Sequence, residues 1–277
     1  MSPKPHRSGR PAPVIGRTRS ISHAGSLAAC LAAALGLAAP ASAQIAAASP
    51  DPGPAVAATG PQSPGEAAQS LRELVARYFA WRGPAFAQLQ TIHERLQIDA
   101  PAGRAAGGLW MDRDGRMRRE TDAAGAPQVQ VATPDGGWRT GADGQAHDDP
   151  GAAERARRYT LLEFGDALTA RGGASVALAG AAELEDHTWS VVRVTFGDAD
   201  TYEALLDPAT GGLCCYRITE QGVTRTVLFG EWRLVDGVRM PFAELTRAEA
   251  ETGARISAVE LNRALDPSLF ARPKAGG

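Results

Sequence analysis

Tight-turn sequences divide most of the chain into short segments, and this spacing limits the possible folds more than any other feature. Asp114-Gly115 and Asp135-Gly136-Gly137 are turns of the kind that connect two antiparallel strands. Further turn sequences follow at residues 207–211, 221–222 and 236–237. Strands connected in this way pair with their neighbours in the chain, so the sequence predicts one antiparallel meander.

Two segments have a helical pattern instead. Apolar side chains from Leu71 to Phe79 recur at the spacing of one helix face, after a helix start signal at Ser63 and Pro64. A second helical region is predicted from Ala152 to Arg171.

The balance of strands and helices indicates the fold class. About eleven strands are predicted, and two helices cannot cover both faces of so many strands. Segments such as 187–196 are nevertheless apolar on both sides. We therefore predict an α+β fold in which a strongly curved antiparallel sheet, an incomplete barrel, holds two helical segments on its concave face. Such a sheet leaves an apolar seam that suits a hydrophobic ligand.

The N-terminus resembles a secretory signal peptide over residues 1–43. A basic region at Arg17 and Arg19 precedes an apolar stretch, and Ala41-Ser42-Ala43 forms a small-x-small cleavage site. An uncleaved membrane anchor is the alternative. Residues 44–64 are rich in Ala, Pro and Gly and predict a disordered linker. We expect a periplasmic protein with one folded domain at 65–273 and a tail at 274–277.

Charge and hydropathy exclude two classes of protein. The formal charge of the chain is -2, and without residues 1–43 it has 24 basic against 31 acidic residues, a net charge of -7. This balance argues against a nucleic-acid partner. The mean hydropathy of -0.21, with no long apolar run beyond the N-terminus, excludes a multi-span membrane protein. The sequence leaves the oligomeric state open.

The sequence offers no arrangement of residues typical of an enzyme. His93, His147 and His187 are isolated and lack metal-ligand spacing, and each is expected to be a solvated side chain. Nucleophile-elbow, P-loop and dinucleotide motifs are absent from the sequence. We therefore expect no catalytic residue, no metal site and no cofactor.

Cys214 and Cys215 are adjacent in a predicted strand. Successive strand residues point to opposite faces, so we expect one buried thiol and one facing solvent or the cavity. A vicinal disulfide and a disulfide-linked dimer remain as alternatives.

Several motifs in order resemble the periplasmic lipoprotein carriers, a LolA-like family that sorts outer-membrane lipoproteins. They are the segment Gly108-Leu109-Trp110-Met111-Asp112-Arg113, the turn at 135–138, and the stretches 206–211, 235–242 and 262–273. The resemblance covers residues 65–273. It implies an incomplete barrel with a helical lid over an apolar cavity. It also implies binding of a lipid acyl chain or a lipoprotein, without catalysis.

The resemblance implies a role for Arg113, which matches the arginine that helps to hold the family's lid closed. An exposed turn residue is the alternative. The charged segment 114–119 departs from the Arg-Pro and aromatic residues usual in the family at this point. The other candidates for the ligand site or lid, each with core packing as the alternative, are Trp110, Phe79, Phe164 and Leu168.

A second resemblance is to the N-terminal half of exported retropepsin-like proteins, in which a similar domain precedes the protease. Segments 78–83, 164–168 and 194–202 carry it, and no Asp-Ser-Gly or Asp-Thr-Gly motif is present. This resemblance implies a non-catalytic accessory or interaction module, with an envelope protein as a further candidate partner.

We predict that the exported protein begins at or near Gln44, because the cleavage motif ends at Ala43. N-terminal sequencing of protein recovered from the periplasmic fraction checks this. A lipid-modified Cys30, or an intact N-terminus in the membrane fraction, would contradict it.

Overall fold

The computed structural model describes residues 56–57, 64–101, 103–123, 126–141, 143–197, 200–220 and 222–273. The predicted signal peptide and C-terminal tail lie outside these residues. So does most of the predicted linker, although Val56–Ala57 within it form a short strand. Among the described residues, none of the helices has the length and hydrophobicity needed to cross a bilayer.

The described residues form two α-helices and sixteen strands. The helices are α1 (Pro64–Arg82) and α2 (Ala152–Glu163), and short 3-10 turns lie at Phe86–Gln88, Ala167–Thr169, Arg171–Gly173 and Pro267–Phe270. The strands are β1 (Val56–Ala57), β2 (Thr91–Ala100), β3 (Gly103–Asp112), β4 (Met117–Ala123), β5 (Ala126–Thr133), β6 (Gly136–Thr140), β7 (Ala146–Asp148), β8 (Ser175–Leu184), β9 (His187–Phe196), β10 (Asp200–Leu206), β11 (Leu213–Glu220), β12 (Val223–Gly230), β13 (Arg233–Val235), β14 (Val238–Met240), β15 (Ala243–Arg247) and β16 (Glu251–Leu261).

Fourteen strands form one open antiparallel sheet in the order β1-β8-β9-β10-β11-β12-β15-β16-β2-β3-β4-β5-β6-β7. The remaining two, β13 and β14, form a separate hairpin. The predicted fold class is confirmed, with more strands than the sequence predicted. The prediction of one meander is wrong, because two consecutive runs of strands meet where β16 pairs with β2. This pairing brings Ala254 opposite Ile98, a contact that local turn signals do not reveal.

The main hydrophobic core lies on the face of the sheet that carries the helices, which we call the concave face. In β2, Ile92, Leu96 and Ile98 are buried there, following the period of two in a strand. Helix α1 adds Leu74, Val75 and Tyr78, and helix α2 adds Ala156 and Leu162. Each large apolar side chain buried in this way contributes roughly 1.5–3 kcal/mol to folding.

The opposite, convex face carries two smaller apolar clusters. One is centred on Val191 and Leu205, and the other joins Trp138 to Phe270 from the last 3-10 turn. Several strands are therefore apolar on both sides because the convex face has its own local cores.

Some predicted elements are interrupted where the backbone takes a positive φ. The helix predicted to run from Ala152 to Arg171 ends at Glu163, and Gly165 follows with a φ of 73°. The strand-like segment from Val223 to Val235 is likewise divided at Glu231, whose φ is 51°. Strand β7 was not predicted, because its residues lie in a segment rich in Gly and Asp.

The turn between β10 and β11 packs directly on α1. Gly211 has a φ of +76°, and a Cβ atom there would lie 2.3 Å from the Tyr78 backbone nitrogen. Only glycine permits this approach, so the turn and the helix are held in close contact.

We predict that Gly211→Ala lowers the free energy of unfolding by about 2 kcal/mol more than Gly222→Ala does. Both residues have a positive φ, but nothing lies within 4 Å of a Cβ at Gly222. The control therefore carries only the backbone strain of about 1 kcal/mol. Urea denaturation of the two variants measures the difference, and equal losses would show that α1 does not press on this turn.

Candidate functional site

Arg113 connects the ends of both helical segments to the sheet. It lies in the turn after β3, and its Nη1 donates to the Ala87 carbonyl oxygen at 2.9 Å in the 3-10 turn after α1. Its Nη2 donates to the Phe164 carbonyl oxygen at 3.3 Å, at the end of α2. Its Nε donates to Asp166 Oδ2 at 2.9 Å. We call Arg113, Asp166 and the two carbonyl groups the Arg113 clasp.

The clasp is partly shielded from water. The side chains of Arg113 and Asp166 are 18% and 11% exposed, and Arg171 Nη1 donates to the other Asp166 oxygen at 3.0 Å. The Arg113 guanidinium also lies 5.6 Å from the centre of the Phe164 ring. Charged hydrogen bonds in such a setting are stronger than those of a surface ion pair.

Aromatic side chains pack where the two helical segments meet. The rings of Phe79 on α1 and Phe86 in the following turn are 5.4 Å apart. A Cβ at Gly165, just after α2, would lie 2.9 Å from Phe86 and 3.1 Å from Phe79. The ends of the two segments are therefore in direct contact beside the clasp.

Four of the five candidate residues from the sequence lie together. Phe164 and Leu168 are buried in the concave-face core, Phe79 packs against it, and Arg113 holds its edge. Trp110 is separate, because it alternates with Leu109 and Met111, which both face the core.

Trp110 lies on the convex face and stacks on His93, with ring centroids 4.8 Å apart and planes 15° apart. Its indole also lies over Gly108, where a Cβ would approach it to 2.5 Å. The pair lines an open groove of about 380 Å³ that also includes Gly107 and Pro127. Trp110 therefore lines a groove outside the sheet, away from the helices.

Comparison with known proteins identifies the fold. No protein-family model matches the chain, and no curated protein matches its sequence. A LolA superfamily protein from Nitrosomonas europaea matches with a TM-score of 0.52 at 11% identity, covering 73% of this chain and 97% of the other. A DUF1329 family protein from Desulfovibrio piger matches with a TM-score of 0.52 at 10% identity, covering 74% and 97%.

This chain has the LolA-like fold. The family resemblance read from the sequence is thereby confirmed at the level of fold, while the retropepsin-like resemblance stays a prediction. Because the sequence identities to these two structures are only 10% and 11%, their similarity shows the fold alone. The site is therefore interpreted from this chain's own residues.

Three glutamates meet between the concave face of this LolA-like sheet and helix α2. Burial raises the pKa of Glu94 well above its usual range, and the nearby Glu244 and Glu163 carboxylates raise it further. Burial raises the pKa of Glu163, which Arg82 partly opposes. Burial and then Glu163 raise the pKa of Glu244 to about 8, against an opposing effect of Arg119. We call Glu94, Glu163 and Glu244 the interior acids.

Sequence reasoning missed the interior acids because they come from β2, α2 and β15. The only signal was Glu94, which interrupts the apolar face of its strand. Such an interruption indicates a buried acid when the rest of that face is core.

A buried arginine lies on the same side of the sheet. Arg82, at the end of α1, is 2% exposed and lies 4.1 Å from the centre of the Phe86 ring. Its Nη1 donates to the Tyr78 hydroxyl at 3.0 Å. Within the described part of the chain, no set of three or more His, Cys, Asp or Glu side chains is arranged to hold a metal ion.

The two cysteines are placed differently from the sequence expectation. Leu205 pairs with Cys215 and Leu206 pairs with Leu213, so Cys214 is the extra residue of a β-bulge. Cys214 and Cys215 therefore both contact the convex cluster of Leu205 and Val191, instead of pointing to opposite faces. Their exposure still differs, since Cys215 is 1% exposed and Cys214 is half-buried.

We predict that Glu244→Gln becomes more stable relative to the wild type as the pH rises. A carboxyl whose pKa is raised on folding stabilises the fold below its unfolded pKa, and this stability is lost as the pH rises through the folded value of about 8. Glutamine removes this loss. The gain relative to wild type between about pH 5 and about pH 9 should be about 1–3 kcal/mol.

Urea denaturation at both pH values measures this gain. Glu249→Gln, at an exposed position after β15, is the matched control and should show no such trend. A parallel pH dependence in wild type and Glu244→Gln would contradict the placement of Glu244.

Proposed function

We propose that this protein is an exported, periplasmic, non-catalytic carrier that holds a lipid acyl chain, free or on a lipoprotein, beneath its helices. The observation that carries the proposal is the Arg113 clasp, since one side chain from the sheet holds the ends of both helical segments. The LolA-like fold supports it through the resemblance to lipoprotein carriers.

In the structure the helices pack on the concave face, and the space between them is filled by the protein's own side chains. Tyr78, Phe86 and Leu206 are fully buried there, with 0% of their surface exposed. A ligand therefore enters only when the helices move away from the sheet. Each CH₂ group of an acyl chain that replaces these contacts contributes about 0.8 kcal/mol. The net affinity is smaller, because lid opening and ligand ordering cost free energy.

The clasp sets part of that opening cost. Its hydrogen bonds join the turn after α1 and the end of α2 to one guanidinium, so outward movement of either segment breaks at least one of them. A ligand binds more readily when this closed state is weakened, because the open state is then more populated.

The alternative is a non-catalytic interaction module whose partner, an envelope protein, binds outside the sheet. The filled concave face favours it, because a permanently filled face has no room for a chain. The groove at Trp110 and His93 offers such a module a surface on the convex side.

We predict that Arg113→Leu takes up a fluorescent fatty acid faster than the wild type does. Loss of the clasp removes about 1–3 kcal/mol from the closed state and shifts the population toward the open form. Stopped-flow fluorescence measures the rate, and circular dichroism shows that the fold is retained.

Arg116→Leu is the matched control from the same turn. The Arg116 Nε donates to Asp112 Oδ2 at 2.6 Å, and Asp112 belongs to β3 rather than to either helical segment. Arg116→Leu should take up the fluorescent fatty acid at the wild-type rate. Absence of wild-type binding at micromolar probe would overturn the carrier and favour the module. Equal rates in wild type and Arg113→Leu would overturn only the role of the clasp.

A further inference from the structure

The β-bulge in β11 places two thiols side by side at the surface of the sheet. The register shift between Leu205 and Leu206 leaves Cys214 without a partner residue on β10, while Cys215 stays paired with Leu205 and with Leu228. Both side chains pack on the same convex cluster. A regular strand would have separated them across the sheet.

The environments of the two thiols are unequal. A hydrogen bond between the two sulfurs lowers the pKa of Cys214, an effect that burial partly opposes. The same hydrogen bond, followed by burial, raises the pKa of Cys215. Cys214 is also the more exposed of the two. It therefore has the features of an attacking thiol, whereas Cys215 is a buried neighbour within reach of its sulfur.

We propose that Cys214 and Cys215 form a redox-active vicinal dithiol that exchanges with small-molecule disulfides and closes to a disulfide between the two residues. Cys214 is the attacking residue and Cys215 is the resolving residue. The site is independent of the acyl-chain proposal, because it lies on the convex face and uses no residue of the Arg113 clasp.

The exchange with oxidised glutathione balances in two steps. The Cys214 thiolate attacks one glutathione sulfur, forming a mixed disulfide and releasing one glutathione thiolate. The Cys215 thiolate then attacks the Cys214 sulfur, forming the internal disulfide and releasing the second glutathione. Two cysteine thiols are oxidised, one glutathione disulfide is reduced, and both thiol protons pass to the released glutathione thiolates.

A disulfide between two adjacent residues would be strained. Consecutive Cα atoms are about 3.8 Å apart, below the usual disulfide range of about 4.4–6.8 Å. Strained disulfides are reduced more readily than structural ones. An internal disulfide formed here would therefore be reduced readily by a small thiol.

Peptide mapping of the purified protein tests this directly. The reduced protein is incubated with oxidised glutathione, quenched in acid and digested with trypsin without reduction. Arg193 and Arg217 bound a tryptic peptide, residues 194–217, that contains both cysteines and lacks Cys30. We expect this peptide to lose two hydrogen atoms and to regain them with dithiothreitol.

Serine variants assign the two roles. Cys215→Ser should retain glutathione on Cys214, because the resolving thiol is missing, and Cys214→Ser should react slowly through buried Cys215. A wild-type peptide that stays reduced, keeps glutathione or joins a second copy of the chain would overturn the proposal. Equal reaction rates for the two variants would overturn the assignment of Cys214 as the attacking residue.

Discussion

The packing of two helical segments on the apolar concave face is the interaction on which the rest of the structure depends. An open sheet of fourteen strands has a broad apolar surface that water would otherwise contact. Helices α1 and α2, with the turns that follow them, cover it by inserting side chains such as Tyr78, Phe86 and Phe164. The same surface that requires a cover is the surface that an acyl chain would use.

Polar groups between the helices and the sheet make the stability of the folded protein depend on pH. Burial disfavours the charged forms of Glu94, Glu163 and Glu244, and neighbouring acids disfavour those of Glu94 and Glu244 further. Arg82 and Arg113 act differently, because the first is buried among aromatic rings and the second holds helix ends from the rim. Unfolding exposes the acids to water and relieves their desolvation, so a rising pH lowers the stability of the folded state.

Local signals in the sequence predicted much of the architecture. The turn at Asp114-Gly115 and the helix beginning at Pro64 are encoded by neighbouring residues, and both occur as expected. Trp110 departs from its expected place in the ligand site or lid, because it alternates with the core residues Leu109 and Met111 and so faces the convex side. Phe79, Phe164 and Leu168 lie on the concave side, because the helical segments turn these apolar side chains toward the sheet.

Features that depend on distant parts of the chain were not predicted. The pairing of β16 with β2, the convergence of the interior acids and the bulge at Cys214 each require partners from other elements. Arg113 was identified through the family resemblance, and its contacts with Ala87 and Phe164 became visible only in the structure. Periodicity assigns a residue to a face of its own element, whereas tertiary contacts decide what it meets there.

We propose that the concave face holds an apolar chain in the cell. Native mass spectrometry of the protein purified from a periplasmic extract, without detergent, tests it most directly. We expect a population of the protein whose added mass is that of an acyl lipid and is lost on unfolding. A protein that carries only its own mass, and that remains without lipid after incubation with fatty acid, would contradict the claim.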